Sequence, residues 1–146
     1  MVKIRLIGAS PDEIETLWAT PVATKQYRLE NSPFYAYGVS WQDIVEAQPD
    51  EAGYLEFVRT LRKSGNRTVR VIFQNCRTED PPAQIILSEL LRLGVTAEGF
   101  QPLLVSLNVP PSTELQVVAD FLTEQAGLTW EYADPTYDEI YGITPD

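Results

Sequence analysis

One change of hydrophobic period governs what this chain can fold into. Up to residue 77 apolar residues alternate with polar ones over short runs; beyond it they recur every three or four positions. The first half is written for strands and the second brings in helices. Val2, Ile4 and Leu6 alternate with Lys3 and Arg5, which predicts a half-buried strand at 2–7. Further strands are expected at 15–20 and 26–30 around a turn at 21–24, and at 43–48 and 54–61 around Pro49-Asp50-Glu51-Ala52-Gly53. Ser64-Gly65-Asn66 then turns the chain into a strand at 68–74. Five or six short antiparallel strands with no helix between them predict a small barrel or a strongly curled sheet.

In the second half Asp80 and Pro81 are placed to cap and open a helix, and Gly94 to close it. Ile86, Leu90 and Leu93 keep helical spacing between them, joined by Ile85, Leu87 and Leu91. A second helix is expected from Ser112, after Pro110-Pro111, to Gly127; Leu115, Val118, Phe121 and Leu122 form its apolar stripe, with Glu114 in the first turn. Strands at 68–74, 95–100, 103–109 and 128–132 flank the helices and give the order β-α-β-β-α-β, the ferredoxin-like pattern. The expected class is therefore α+β. Residues 1–67 form a small antiparallel β-barrel-like part and 68–133 a ferredoxin-like βαββαβ part, packed as one unit; 134–146 is an acidic tail. That tail holds Asp134, Asp138, Glu139 and Asp146, with Tyr137, Tyr141 and Ile143 among them. Such a segment either frays, packs on its own domain or docks on a basic partner.

Composition narrows the chemistry. The chain has no histidine, which excludes His-dependent triads, Cys–His dyads and the usual imidazole metal sites. Cys76 is the only cysteine, so neither an intrachain disulfide nor a multi-cysteine metal site is possible. With only Arg77 beside it and a core strand before it, Cys76 reads as a structural thiol. The adjacent carboxylates Glu13/Glu15, Asp50/Glu51 and Asp138/Glu139 fall in loops or the tail, where they are ordinarily solvated. No catalytic set, metal or cofactor is expected. No apolar run approaches the ~18 residues of a membrane helix. The apolar start is broken by Gly8, Ser10, Pro11 and Asp12, which argues against a signal peptide; the expected compartment is cytoplasmic.

The net charge of −10 is unevenly placed. Residues 1–77 hold ten Lys/Arg against nine Asp/Glu, or +1, whereas residues 78–146 hold Arg92 against twelve acids, or −11. Such a field attracts a basic surface and repels a phosphate backbone, although solubility alone also accounts for it. The exception is a run from 59 to 77 with no Asp or Glu, where Arg59, Arg62, Lys63, Arg67 and Arg70 surround one hairpin. These five are the candidate anion-binding residues, with Tyr54, Phe57 and Phe73 available to stack bases.

Four motifs occur in order: Leu17-Trp18; Tyr27-Arg28-Leu29-Glu30-Asn31-Ser32-Pro33-Phe34; Gly38-Val39-Ser40 with Asp43-Ile44-Val45-Glu46-Ala47; and Ser64-Gly65-Asn66-Arg67-Thr68-Val69-Arg70. The set resembles an uncharacterised bacterial family known as a domain of unknown function, whose pattern is LW, YxLxNxPF, GVSxxDxVEA and SGxxTxR. The resemblance covers most of the chain and implies no activity, cofactor or partner. Where that family's last motif carries a histidine, this chain has Asn66, so a role needing imidazole there would be lost. The motifs also have a structural reading: Asn31–Phe34 as a turn with a buried aromatic, Asp43 bonding the backbone at a barrel corner, Ser64-Gly65 setting a hairpin.

A small acidic chain without a catalytic set is best read as a non-enzymatic protein-binding protein. The expectation is an immunity-type inhibitor neutralising a basic bacterial toxin or enzyme. Its partner-binding residues would be Glu124, Glu131, Asp134, Asp138 and Glu139, with Trp130, Tyr132 and Tyr137 as aromatic anchors. The alternatives are a small-molecule-binding regulatory domain and, behind it, nucleic-acid binding through the basic hairpin. No membrane association is expected, and the sequence leaves the oligomeric state open.

Overall fold

The strand β1 (Val2–Ile7) runs antiparallel to β2 (Ile14–Ala23), register Val2↔Ala19 to Ile7↔Ile14. The chain continues through β3 (Gln26–Leu29), β4 (Ile44–Pro49) and β5 (Leu55–Arg62), each antiparallel to its predecessor. A parallel pairing of β5 with β1, Ile4↔Leu55 and Arg5↔Glu56, closes the five strands into a barrel. Closure leaves no unpaired edge for another chain to join. This description rests on a computed structural model, which describes residues 1–99 and 101–142.

Alternation explains the barrel. Ile4, Leu6, Leu17, Ala19, Leu29, Val45 and Ala47 point inward and are almost fully buried. Alanines at two of these positions suit so narrow a lumen, which inward side chains must fill without crowding. Register shifts in β2/β3 and β4/β5 add the local curl that closure needs. The turn expected at 21–24 is tighter than predicted: Ala23 pairs with Gln26, leaving Thr24 and Lys25 at the tip, Lys25 at φ 59°.

The second sheet is built from β6 (Arg67–Phe73), β7 (Thr96–Gly99), β8 (Leu104–Val109) and β9 (Leu128–Asp134), in the order β7-β8-β6-β9. Neighbouring strands are antiparallel throughout. Between them come α1 (Pro81–Arg92) and α2 (Leu115–Thr123). Val69, Val71 and Phe73 of β6 and Val105, Leu107 and Val109 of β8 pack with Ala83 and Leu90 of α1 and Val118, Ala119 and Leu122 of α2. The helices thus cover one face, which places the class as α+β, with a closed barrel followed by a helix-covered sheet.

Both helices depart from the expected ends. Asp80 sits at the N-cap, but its carboxylate accepts from the Arg77 N–H at 2.7 Å and leaves the helix uncapped by a side chain. Gly94 ends α1 as expected, at φ 90°; a Cβ there would stand 2.9 Å from Thr113 Oγ1. The second helix is shorter than the expected 112–127, because the Thr113 N–H bonds the Pro110 carbonyl in a preceding turn. Glu114 takes the N-cap position, outside the first turn. Of the strand expected at 95–100, Phe100 lies outside the described residues.

The expected tail needs the largest correction. Asp134 is the last residue of β9, and a short helix α3 (Tyr137–Tyr141) follows. Thr136 and Glu139 form a reciprocal capping box at its start. Ile143 and Asp146 lie outside the described residues.

The sheet's other face meets the barrel through residues 30–43, the connection between β3 and β4. Ser106 Oγ donates to the Pro33 carbonyl at 2.7 Å, Arg70 Nη1 to the Ala36 carbonyl at 2.8 Å, and the Gly38 N–H to the Ala133 carbonyl at 2.9 Å. Glu15 of β2 holds the connection from the barrel side, accepting the successive N–H groups of Phe34, Tyr35 and Ala36 at 2.8, 3.0 and 2.8 Å. The buried polar side chains among the described residues line this junction, from Glu15 and Ser32 to Asn108 and Asp134.

Candidate functional site

Four of the five basic residues of the hairpin are engaged by partners within the protein. Arg70 is 3% exposed; its Nε reaches Glu131 at 3.1 Å and its guanidinium stacks over Tyr37 at 4.5 Å. Arg67 donates from Nη2 to the carbonyls of Pro110, at 2.7 Å, and Thr113, tying β6 to the segment before α2. Lys63 Nζ lies 2.5 Å from both Asp43 and Asp134, and Arg59 pairs with Glu46 at 2.7 Å. Of the five, only Arg62 has neither an ion pair nor a side-chain hydrogen bond among the described residues. Counting charges along 59–77 missed this, because the neutralising groups lie between 13 and 71 positions away. Phe73 is core, and Phe57 packs against the barrel core, so neither is presented to a base.

Lys63 is the hub of a polar cluster drawn from the third and fourth motifs and from β9. Asp43 is fully buried; it accepts from the Ser40 and Ser64 N–H groups at 3.0 and 2.8 Å as well as from Lys63. Ser40 Oγ donates to Asp134 at 2.5 Å and lies 2.7 Å from Thr68 Oγ1. Burial pulls the Lys63 pKa down, but the hydrogen bonds and charges of Asp134 and Asp43 outweigh it and hold it above the ordinary lysine value. A lysine kept charged cannot serve as base to a serine, and Ser40 is wholly shielded from solvent. The cluster joins the barrel to the sheet. Asp134, expected on a partner surface, belongs to this cluster and is 6% exposed.

The remaining expected anchors do converge. Trp130, Glu131 and Tyr132 of β9 and Tyr137 and Asp138 of α3 line a cleft of about 650 Å³ beside α2. Tyr37, Gln116, Ala119, Asp120, Thr123, Thr136 and Tyr141 complete it. Strand alternation turns Trp130 and Tyr132 to the helix-covered side, and α3 folds back to bring its own rings against them. Tyr132 meets Trp130 edge-on at 4.8 Å, Tyr141 at 6.2 Å and Tyr137 at 6.4 Å; Tyr137 and Tyr141 are 4.6 Å apart. No Lys or Arg lines the cleft.

Two phenols of the cleft hold their protons to higher pH than a free tyrosine. Burial, then the Tyr141 hydroxyl and the charges of Asp120 and Tyr137, push the Tyr132 pKa up to about 12. Burial and a hydrogen bond to Glu131 raise that of Tyr37. Glu124, at the C-cap of α2, does not line the cleft; Glu139 is exposed and engaged by Thr136. The sequence reading omitted Tyr37, Asp120 and Tyr141. The Thr136-x-x-Glu139 pattern was the local signal that would have placed Tyr141 in a helix.

Over residues 15–132 the chain matches the model of a family described as Domain of unknown function (DUF4265). The chain belongs to that family. The resemblance read from the four motifs is thereby borne out at the level of a domain of unknown function. No curated protein matches the chain in sequence. Among solved structures it resembles a hypothetical protein from Neisseria gonorrhoeae, with a TM-score of 0.72 at 16% identity, over 93% of this chain and 94% of the other. That likeness concerns the fold alone. In this DUF4265 chain the matched region takes in Asp120, Trp130 and Tyr132 of the cleft but ends before α3. Among the described residues there is no group of His, Cys, Asp and Glu that could hold a metal, and no helix long and apolar enough to cross a membrane.

Proposed function

We propose that this DUF4265 chain is a non-catalytic binding protein that presents its acidic half to a basic protein partner, as an immunity-type inhibitor of a basic bacterial toxin or enzyme would. One observation carries the reading: five aromatic rings and three carboxylates share a cleft with no Lys or Arg in its lining, and of the three carboxylates only Glu131 is paired with a cation. Exposed rings supply contact area at low entropic cost, and flanking carboxylates steer a basic surface into register. Lys63 and Ser40 being locked in a structural cluster supports the non-catalytic part. A cytoplasmic setting fits the lone free thiol at Cys76. The order β6-α1-β7-β8-α2-β9 with sheet order β7-β8-β6-β9 supports a ferredoxin-like arrangement for the second half.

The test is capture from the native host with the wild-type chain and with Asp120→Lys/Glu124→Lys/Asp138→Lys. These carboxylates are exposed, so the fold should survive, as circular dichroism will show. A basic protein held by the wild type and lost by the triple variant is expected. Equal capture by both removes the cleft from the reading, and a toxin gene beside this one would support the inhibitor class.

A second reading is a small-molecule-binding regulatory domain, favoured by a cleft volume within the range of ligand pockets, roughly 300–1,000 Å³. A metabolite that raises the melting temperature, with no charge-dependent protein partner, would put it first. Nucleic-acid binding loses its support, since Arg67, Arg70 and Lys63 are engaged inside the protein.

A further inference from the structure

We infer that the aromatic cleft reads arginine: it receives the guanidinium of an arginine side chain from the basic partner, stacked on Tyr137 and Tyr141 and neutralised by Asp138 and Asp120. This rests on the partner-binding reading above and names the group the cleft recognises.

The rings offer the right kind of surface. Tyr137 and Tyr141 are 60% and 53% exposed, tilted 43° to each other, and supported from behind by Tyr132, which is 8% exposed. Their centroids, with Tyr132, are 4.6 to 6.4 Å apart, too close for a cation to sit among them. A ligand must therefore lie flat on the outer faces. Guanidinium is planar, delocalised and weakly hydrated, and suits such stacking; an ammonium is compact and holds its water more strongly.

The counter-charges stand beside the rings. Asp138 precedes Tyr141 by three residues, so both lie on one side of α3. Its carboxylate has no partner among the described residues, and that of Asp120 is held only by Gln116 Nε2 at 2.8 Å. Glu131 is already paired with Arg70.

The same arrangement already exists at the rim of the cleft. Arg70 stacks over Tyr37 at 4.5 Å while its Nε donates to Glu131 at 3.1 Å. Ring below and carboxylate beside are the two halves of guanidinium recognition. Tyr141 and Tyr137 with Asp138 repeat both halves.

The experiment uses the full chain with ¹³C-labelled tyrosine, ring signals assigned by single Tyr→Phe variants. It is titrated with three acetylated, amidated tripeptides, Gly-Arg-Gly, Gly-Lys-Gly and Gly-citrulline-Gly. The arginine peptide should move the Tyr137 and Tyr141 signals, and the lysine peptide should bind more weakly. Citrulline keeps the shape without the charge and should leave the signals in place. Asp138→Asn/Asp120→Asn should weaken the arginine peptide by roughly three- to fivefold, the worth of partly exposed ion-pair contacts. Citrulline or lysine binding as well as arginine, or an unaffected double variant, overturns the inference. Capture of a protein that needs the acidic residues, with no response to the arginine peptide, removes this inference and keeps the wider reading. A response to the peptide with no charge-dependent protein partner does the reverse.

Discussion

Replacing Asp43 by Ala should cost about 3–5 kcal/mol of stability. Asp43 is fully buried, and its carboxylate is the acceptor for three donors: the Ser40 N–H at 3.0 Å, the Ser64 N–H at 2.8 Å and Lys63 Nζ at 2.5 Å. Alanine leaves the two backbone donors without an acceptor, and each such orphan costs about 1–3 kcal/mol. The Lys63 contribution is smaller: the side chain is 46% exposed, keeps Asp134 and the Gly38 carbonyl, and solvent screens what is lost. For a chain of this length about 1 kcal/mol corresponds to 2–4 °C, so a fall in melting temperature of roughly 10 °C is expected. Asp43→Asn should be nearly as damaging, because its amide must turn a donor either toward the Ser64 N–H or toward the Ser40 N–H and the Lys63 ammonium together. Urea denaturation followed by tryptophan fluorescence, in parallel with circular dichroism, measures the loss. A loss below about 1 kcal/mol would refute the reasoning, since water would then have to satisfy donors that the structure encloses.

Glu15→Ala removes the acceptor from three successive N–H groups and should cost about 2–4 kcal/mol, with faster hydrogen exchange at Phe34, Tyr35 and Ala36 than elsewhere. In alkali, Tyr132, raised to about 12 from 10.0 when unfolded, should ionise last; it supports folding fully below pH 10 and loses that support as pH rises to 12. Spectrophotometric titration should show a late phenol that Tyr132→Phe abolishes. Lys63, raised above 10.5, behaves alike: its contribution is lost as pH climbs past that value, and Lys63→Met should flatten that part of the stability profile. Glu139 has the opposite sign, its pKa lowered by hydrogen bonds from the Thr136 backbone and side chain. The α3 cap should therefore fail as pH falls below the usual glutamate range, seen as coil-like ring signals from Tyr137 and Tyr141.

Local patterns carried the elements well and the charges badly. Alternation in Val2–Ile7 and the turns at 49–53 and 64–66 are short-range signals, so the strands were legible nearly to the residue. The ends of α2 were not, because the Thr113–Pro110 turn imitates a helix start in sequence. Asp134-Pro135-Thr136 uses the vocabulary of a loop, which hid both the end of β9 and the entry to α3. That Asp134 is buried depends on Lys63, 71 residues away, and no window reaches so far. Half of the cleft was legible, since Trp130, Tyr132 and Tyr137 announced themselves as aromatics among acids. Asp120 and Tyr37 were not, for they arrive from α2 and from the 30–43 connection, whose packing is a tertiary fact. The basic hairpin misled for the same reason: charge counted along the chain says nothing of what answers it across the fold.

The place of Asp134 also sets an order of events. Residues 2–62 contain every strand of the barrel, so it can close while the rest of the chain is still emerging from the ribosome. Yet the Ser40 hydroxyl and the second contact of Lys63 wait for a carboxylate that arrives only with the final strand, and that strand docks against β6, otherwise the open side of the sheet. An early barrel is thus a half-latched object, its Lys63 held by Asp43 and the Gly38 carbonyl until β9 brings Asp134. Stalling or cleavage between residues 110 and 128 would release a chain with a formed barrel, an unlatched junction and a bare β6 edge, the form on which aggregation and quality-control proteolysis would act first.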